Sequence, residues 1–261
     1  MINLTNLTDL TFLILVRLDS IVRLENTLEI TQFLSSNFET NIWVSEYSSY
    51  NNGLLERILD KNIRYTFNED HDPILYRTKY LNQMIEAVDK PLVAIWDTDV
   101  IVPIDQILMA VELLRNGEAD FVYPYESHFF DTTPILRKLY LQYKEIEILE
   151  QNKKKMKEMY SPNPVGGAFL ADLNAYKESG LENESFYGWG LEDGERYSRW
   201  MNMGYRIQRV TGPLFHLSHD RGINSGFHND DQYLLKKREI KSVKRNINVN
   251  CIHSNDEQPD N

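Results

Sequence analysis

The sequence predicts an α/β fold: a mostly parallel central sheet with helices on both faces. Three observations predict it. Apolar strand-like runs alternate with segments of helical period through the first half of the chain. Two runs, residues 11–16 and 91–96, are continuously apolar apart from their first residues, as strands covered on both faces require. The chain has 261 residues, 42% hydrophobic and 26% charged, which supplies a sizeable core and excludes wholesale disorder.

The elements follow in order. Residues 11–16 form the first strand. Residues 20–34 place Ile21, Leu24, Leu28 and Phe33 at helical spacing. A short strand at 41–44, a helix at 53–61 and a strand at 63–67 come next. Residues 74–88 are strongly periodic and helical. Strand 91–96 runs straight into Asp97-Thr98-Asp99. Helix 104–115 closes at Asn116-Gly117, because glycine tolerates the left-handed turn that ends a helix. Residues 119–123 return as a strand. In the second half, 132–160 is helical in composition, and its Lys153-Lys154-Lys155 stretch reads as solvated surface. Residues 165–171 and 205–210 read as strands and 192–203 as a helix. Residues 231–245 set Leu234, Leu235, Ile240 and Val243 against lysines and arginines. That pattern fits a helix packed on its own domain, or one touching an anionic membrane surface. Residues 246–261 are polar and expected to fray.

Composition narrows the partners. Lys and Arg number 28 against 39 Asp and Glu, a formal charge of −11. Phosphate contacts need a basic face, so no nucleic-acid partner is expected. One cysteine, Cys251, allows neither a disulfide framework nor a cysteine zinc site within one chain. No segment approaches the roughly 20 apolar residues that span a bilayer. The expectation is a soluble, cytoplasmic protein.

Three groups of residues could carry chemistry. Asp97 and Asp99 end an apolar strand, where open α/β sheets collect ligands, and carboxylates two apart on extended chain point the same way. Such a pair can hold a hard cation against phosphate, or can be a solvated turn. His216 and His219 follow extended chain and could converge on one metal, or could be unrelated. Mixed oxygen and imidazole ligation suits manganese, cobalt or zinc better than calcium. The third group is Gly166-Gly167-Ala168-Phe169 followed by Gly188-Trp189-Gly190-Leu191-Glu192-Asp193. Paired glycines suit close approach of backbone to a ligand, and a Trp face suits a sugar ring. Glu192 and Asp193 open a helix, where they could be simple dipole partners, or an acceptor-binding acid beside a general base.

In that order these motifs resemble GT-A glycosyltransferases, most closely the inverting β-1,4-galactosyltransferase type and its bacterial relatives. Tyr197 to Tyr205 resembles the helix after the family's acidic loop. Arg77-Thr-Lys79-Tyr-Leu-Asn82 resembles the Arg-x-Lys-x-x-Asn helix before the Asp-x-Asp strand. Val16-Arg17-Leu-Asp19 resembles the first-strand loop that grips the base. The similarity runs from about residue 11 to about residue 225. It implies a GT-A fold with one catalytic domain at 1–230: a nucleotide-sugar half to about 125, and an acceptor and metal half from about 126. An amphipathic helix and polar tail follow at 231–261. It implies that Asp99 and His219 ligate manganese, with His216 standing where the family places a methionine. Asp97 would face the ribose or donor sugar. Arg17, Asp19, Arg77 and Asn82 would serve the nucleotide. Trp189 and Gly190 would sit at the donor–acceptor junction. Asp193 would be the base and Glu192 would hold acceptor or donor. Leu191 replaces a common family glycine.

The implied partners are a UDP-sugar, galactosyl or N-acetylgalactosaminyl, and a saccharide or lipid-linked saccharide acceptor. The implied role is bacterial surface polysaccharide synthesis, at the inner face of the membrane. A retaining subgroup tends to carry Asn at the position of Asp193, so Asp193 implies inversion. The Trp189 loop and residues 221–228 would close over the donor. Two other readings use the same residues: a metal-dependent phosphohydrolase or nucleotidyltransferase, and a non-catalytic sugar-nucleotide-binding module. The first gives the Trp189 loop no role, and the second has no chemical need for Asp99, His219 and Asp193 together.

Overall fold

The computed structural model describes residues 4–222, 224–226, 233–234, 237–238 and 240–241. Strand β1 (Thr5–Val16) leads through α1 (Ile21–Asn37) to β2 (Phe38–Ser48), and α2 (Leu54–Ile58) leads to β3 (Arg64–Glu69). Helix α3 (Arg77–Glu86) precedes β4 (Leu92–Trp96), and a short β5 (Val100–Ile101) precedes α4 (Ile104–Arg115) and β6 (Phe121–Tyr123). Then come β7 (Phe129–Asp131), α5 (Pro134–Tyr143), α6 (Ile146–Gln151), β8 (Lys157–Met159) and β9 (Ala168–Asp172). The chain continues through α7 (Leu173–Glu178), α8 (Glu192–Asn202), β10 (Ile207–Arg209) and β11 (Leu214–His216).

The main sheet has seven strands in the order β10-β6-β9-β4-β1-β2-β3. Strand β1 pairs in parallel with β2 and β4, β2 with β3, and β6 with β10. Within it β9 runs antiparallel, against β4 and β6. All of β4, and β1 from Leu10 onward, is buried, so helices cover both faces at the sheet's centre. Strand β1 starts earlier than its apolar run because Thr5 to Leu7 still pair with β2, across a register shift before Thr11. Ser20 caps α1 by accepting the Arg23 N–H at 3.1 Å.

Residues 132–160 depart from the single helical stretch that their composition predicts. Helix α5 stops where Lys144 takes a left-handed conformation and donates its N–H to the Tyr140 carbonyl. Helix α6 is short, Lys153–Lys155 is one tight turn, and β8 follows. Strand β8 belongs to a second sheet, ordered β5-β11-β7-β8. Its strands are two or three residues long, too short to show a period in the sequence. One hydrophobic core runs from Leu7 to Leu217 and takes residues from both sheets.

Tyr233, Leu234, Lys237, Arg238, Ile240 and Lys241 are helical, as the pattern at 231–245 predicts, and the rest of that segment and the tail at 246–261 lie outside the described residues. Among the described residues no helix is long and apolar enough to cross a membrane.

The two sheets meet at Gly167. Its carbonyl accepts the Asp97 N–H at 2.9 Å, and its φ of +83° is one that L side chains rarely adopt. A Cβ there would lie 3.0 Å from Phe129 and 3.2 Å from both Leu214 and Val100, side chains of β7, β11 and β5. Gly167→Ala adds left-handed strain to overpacking and should cost about 2–4 kcal/mol. Urea unfolding checks this; an unchanged midpoint would contradict it.

Candidate active site

The C-terminal ends of β1 and β4 open into a cavity of about 430 Å³. Arg17, Asp19, Arg77, Asp97, Asp99, Trp189, Gly190, Glu192, Asp193, His216 and His219 all line it. Asn82 does not. Its amide donates to the Glu182 carbonyl and to Glu184, each at 2.9 Å, and its oxygen accepts the Glu182 N–H at 2.9 Å. Asn82 therefore fixes the chain ahead of the Trp189 loop rather than facing a nucleotide.

On one side of the cavity Asp99, His216 and His219 offer ligand atoms within 4.8 Å of one another. His219 Nε2 lies 3.1 Å from Asp99 Oδ2, and His216 Nε2 lies 3.5 Å from Oδ1. Antiparallel pairing sets His216 opposite Val100, next to Asp99. The Asp99 carbonyl accepts the Leu217 N–H at 2.7 Å, and buried Asn26 donates to the Leu217 carbonyl at 2.9 Å. Arg23 Nη1 lies 3.7 Å from Asp99. Burial opposes ionisation of Asp99, yet His216, His219 and Arg23 hold its carboxyl well below the usual carboxylate range. Burial likewise opposes charge on His219, and its hydrogen bond with Asp99 overrides this and raises its pKa. One carboxylate with two imidazoles is a donor set that fits manganese, cobalt or zinc.

Elsewhere in the cavity lining Arg77 pairs with Asp97 at 2.7 Å. Burial raises the Asp97 pKa against the pull of Arg77, with Asp99 and Asp193 adding to the rise. Arg17 is committed to protein partners: it donates to the Tyr47 carbonyl at 2.8 Å, to the Asp72 carbonyl at 2.6 Å and to Asp70. Asp19 accepts from Arg23 at 3.0 Å.

The first turn of α8 forms the facing wall. Asp193 accepts from Arg196 at 2.6 Å, and Arg196 forks onto both oxygens of Glu182 at 3.0 Å. Arg196 and Glu182 are each 1% exposed in their side chains, so Asp193 hangs on a buried ion pair. Gly166 approaches so closely that a Cβ there would lie 2.7 Å from Asp193 Oδ2. The paired glycines thus divide their work: Gly166 admits Asp193, and Gly167 joins the sheets. Beside Asp193, burial first and then the Asp193 charge push the Glu192 carboxyl up to about 7. Among the described residues its buried Oε2 has no hydrogen-bond partner. Leu191 holds a left-handed φ of 72° just ahead of the helix.

Residues 148–220 match the family model described as the N-terminal domain of galactosyltransferase. No curated protein matches the chain by sequence. A mutant of Drosophila β-1,4-galactosyltransferase 7, in complex with manganese, UDP-Gal and xylobiose, is similar in structure. The TM-score is 0.52 at 15% identity, over 85% of this chain and 78% of that one. The catalytic domain of Drosophila β-1,4-galactosyltransferase 7 with xylobiose gives 0.50 at 16% identity, over 90% of this chain and 80% of that one. The chain has the GT-A glycosyltransferase fold.

In this GT-A fold the stretch matched by the family model holds Gly166, Gly167, Glu192, Asp193, His216 and His219, and leaves Asp97 and Asp99 outside. Sequence reasoning missed Arg23, Arg196 and Glu182. Arg23 and Arg196 sit one turn beyond Asp19 and Asp193, a usable signal. Glu182 carried none. Arg221, Asn224 and Ser225 also line the cavity. Asn224 accepts the Leu75 N–H at 2.8 Å, and Ser225 accepts from Arg23 at 3.1 Å, so this segment is tied across the mouth. His228, the end of the predicted closing segment, lies outside the described residues. The Trp189 loop is tied as well, by Tyr187 donating to Asp72 at 2.7 Å.

Glu192 gives the site a pH signature. A pKa raised from 4.5 to about 7 favours the fold while the carboxyl is protonated, and that contribution fades as pH rises through this window. Glu192→Gln stays neutral throughout. Its stability relative to wild type should rise by up to about 3 kcal/mol between pH 4.5 and pH 8. Urea midpoints at both ends check this, and a difference that does not change with pH would contradict it.

Proposed function

We propose that the protein is a metal-dependent glycosyltransferase that moves a sugar from a UDP-sugar to an acceptor hydroxyl with inversion. One observation carries the reading: a single cavity holds the Asp99–His216–His219 cluster on one wall and Asp193, braced by Arg196, on another. A phosphohydrolase needs the first wall only.

Asp99, His216 and His219 would hold manganese, which when bound neutralises negative charge on a diphosphate. Arg23 and Arg77 add fixed positive charge on the same side. Asp193 takes the proton from the acceptor hydroxyl as that oxygen bonds to the anomeric carbon. The bond from that carbon to the diphosphate breaks with its electron pair, and UDP leaves. Attack from the face opposite UDP inverts the configuration. Arg196 keeps Asp193 aimed, since its own guanidinium is locked by Glu182. Glu192, which lines the cavity, would bond a hydroxyl of the acceptor or donor. Trp189 offers a face to a sugar ring.

The galactosyltransferase match and the contents of the Drosophila complex, manganese, UDP-Gal and xylobiose, support this reading. They favour a galactosyl-type donor, galactose or N-acetylgalactosamine, and a saccharide acceptor. The proposal extends to one catalytic domain at 1–230 and to bacterial surface polysaccharide synthesis in the cytoplasm. There the segment 231–245, with its apolar and basic residues, would pack on its own domain or meet a membrane carrying a lipid-linked acceptor.

The test is UDP release from a panel of UDP-sugars with acceptors, with manganese and with chelator. Release should depend on metal, and Asp99→Ala should abolish it. Asp193→Asn should lower turnover by about 100- to 10,000-fold, the range of a lost general base. Release without any glycosylated product would point to a hydrolase. Retained anomeric configuration in the product, read by NMR, would overturn the inverting step.

A further inference from the structure

The two histidines present the same nitrogen to Asp99 and fix their rings by different means. His219 donates from Nδ1 to the Asp220 carbonyl at 2.8 Å. His216 donates from Nδ1 to Asp131 Oδ1, also at 2.8 Å. An imidazole whose Nδ1 proton is given to an acceptor keeps its Nε2 lone pair for an ion. Both Nε2 atoms face Asp99.

The backbone delivers Asp131 to this place. Parallel pairing of β7 with β11 sets Asp131 opposite His216. The Thr132 N–H donates to the His216 carbonyl at 2.9 Å, and the Ser218 N–H donates to Thr132 Oγ1 at 2.9 Å. These bonds fix the register just beyond the pair, so neither strand slips without breaking them. Asp131 meets the opposite side of the imidazole from Asp99 and does not line the cavity. It touches the ring, not the space between Asp99, His216 and His219.

We infer that Asp131 is a positioning residue for the metal centre: it locks the tautomer and plane of His216 and makes that ring the stronger donor of the two. A carboxylate acceptor enriches the imidazole that bonds to it more than the neutral carbonyl on His219 does. The inference rests on reading Asp99, His216 and His219 as a divalent metal site, and the experiment separates the two.

Cobalt(II) is titrated into the intact chain and followed by visible absorption, and manganese(II) by calorimetry. Wild type, Asp131→Asn, Asp131→Ala and Asp99→Ala are compared, with circular dichroism and urea unfolding as checks on the fold. Asp131→Ala should weaken cobalt binding about 10- to 100-fold and shift the ligand-field bands. Asp131→Asn keeps an acceptor oxygen without the charge; it should fall between and serves if the alanine variant does not fold. Wild-type affinity and spectrum in the Asp131 variants, with binding lost in Asp99→Ala, would overturn the role of Asp131 and leave the metal site standing. No binding of either ion by wild type would overturn both.

Discussion

Five carboxyl groups line one cavity, and the mutual repulsion of four of them is the constraint around which the structure is arranged. Asp97, Asp99, Glu192 and Asp193 line a space partly withdrawn from water, where like charges repel strongly. Each is handled differently. Asp99 sits among two imidazoles and Arg23. Asp97 takes Arg77, and Asp193 takes Arg196. Glu192 has no ion pair among the described residues, and burial and the Asp193 charge push its carboxyl up to about 7. Environments that push neighbouring carboxyls apart in this way suit them to different work; in the proposed reaction Asp99 would hold a cation, Asp193 take a proton and Glu192 make a hydrogen bond.

The scaffold positions these groups through a few close contacts. Gly166 leaves room for Asp193, and Gly167 lets the small sheet reach the large one. That junction carries β5 and β11, hence Asp99 beside His216. Opposite, the buried Arg196–Glu182 pair is costly to desolvate, and its worth lies in geometry more than in stability. Glu182 is in turn held at its backbone by Asn82 of α3. Asn82, outside the cavity lining, therefore supports Asp193 through two intermediaries.

Much of this was legible in the sequence, for identifiable reasons. The main sheet showed because β1 and β4 are long, apolar and buried on both faces. Asp97 and Asp99 showed because they end such a strand. The glycine pair, Trp189 and the acidic pair showed through residue type and order. What did not show depends on contacts distant in sequence or on very short elements. The β5-β11-β7-β8 sheet has no period to read. The break at Lys144 rests on one left-handed residue with no glycine to mark it. Asn82 lies in a helix whose sequence only resembles a nucleotide-binding one, and its three bonds to Glu182 and Glu184 show it bracing a loop. Asp131 reaches His216 across 85 positions of sequence.

The central claim is that the Asp99 cluster and the donor diphosphate occupy one site and bind together. The most direct test is calorimetry of UDP binding, with manganese and with chelator, on wild type and Asp99→Ala. Manganese should tighten UDP binding to wild type by about 5- to 150-fold, the usual span of coupling between two ligands, and should do nothing for the variant. UDP affinity that is the same with manganese and with chelator would contradict the account.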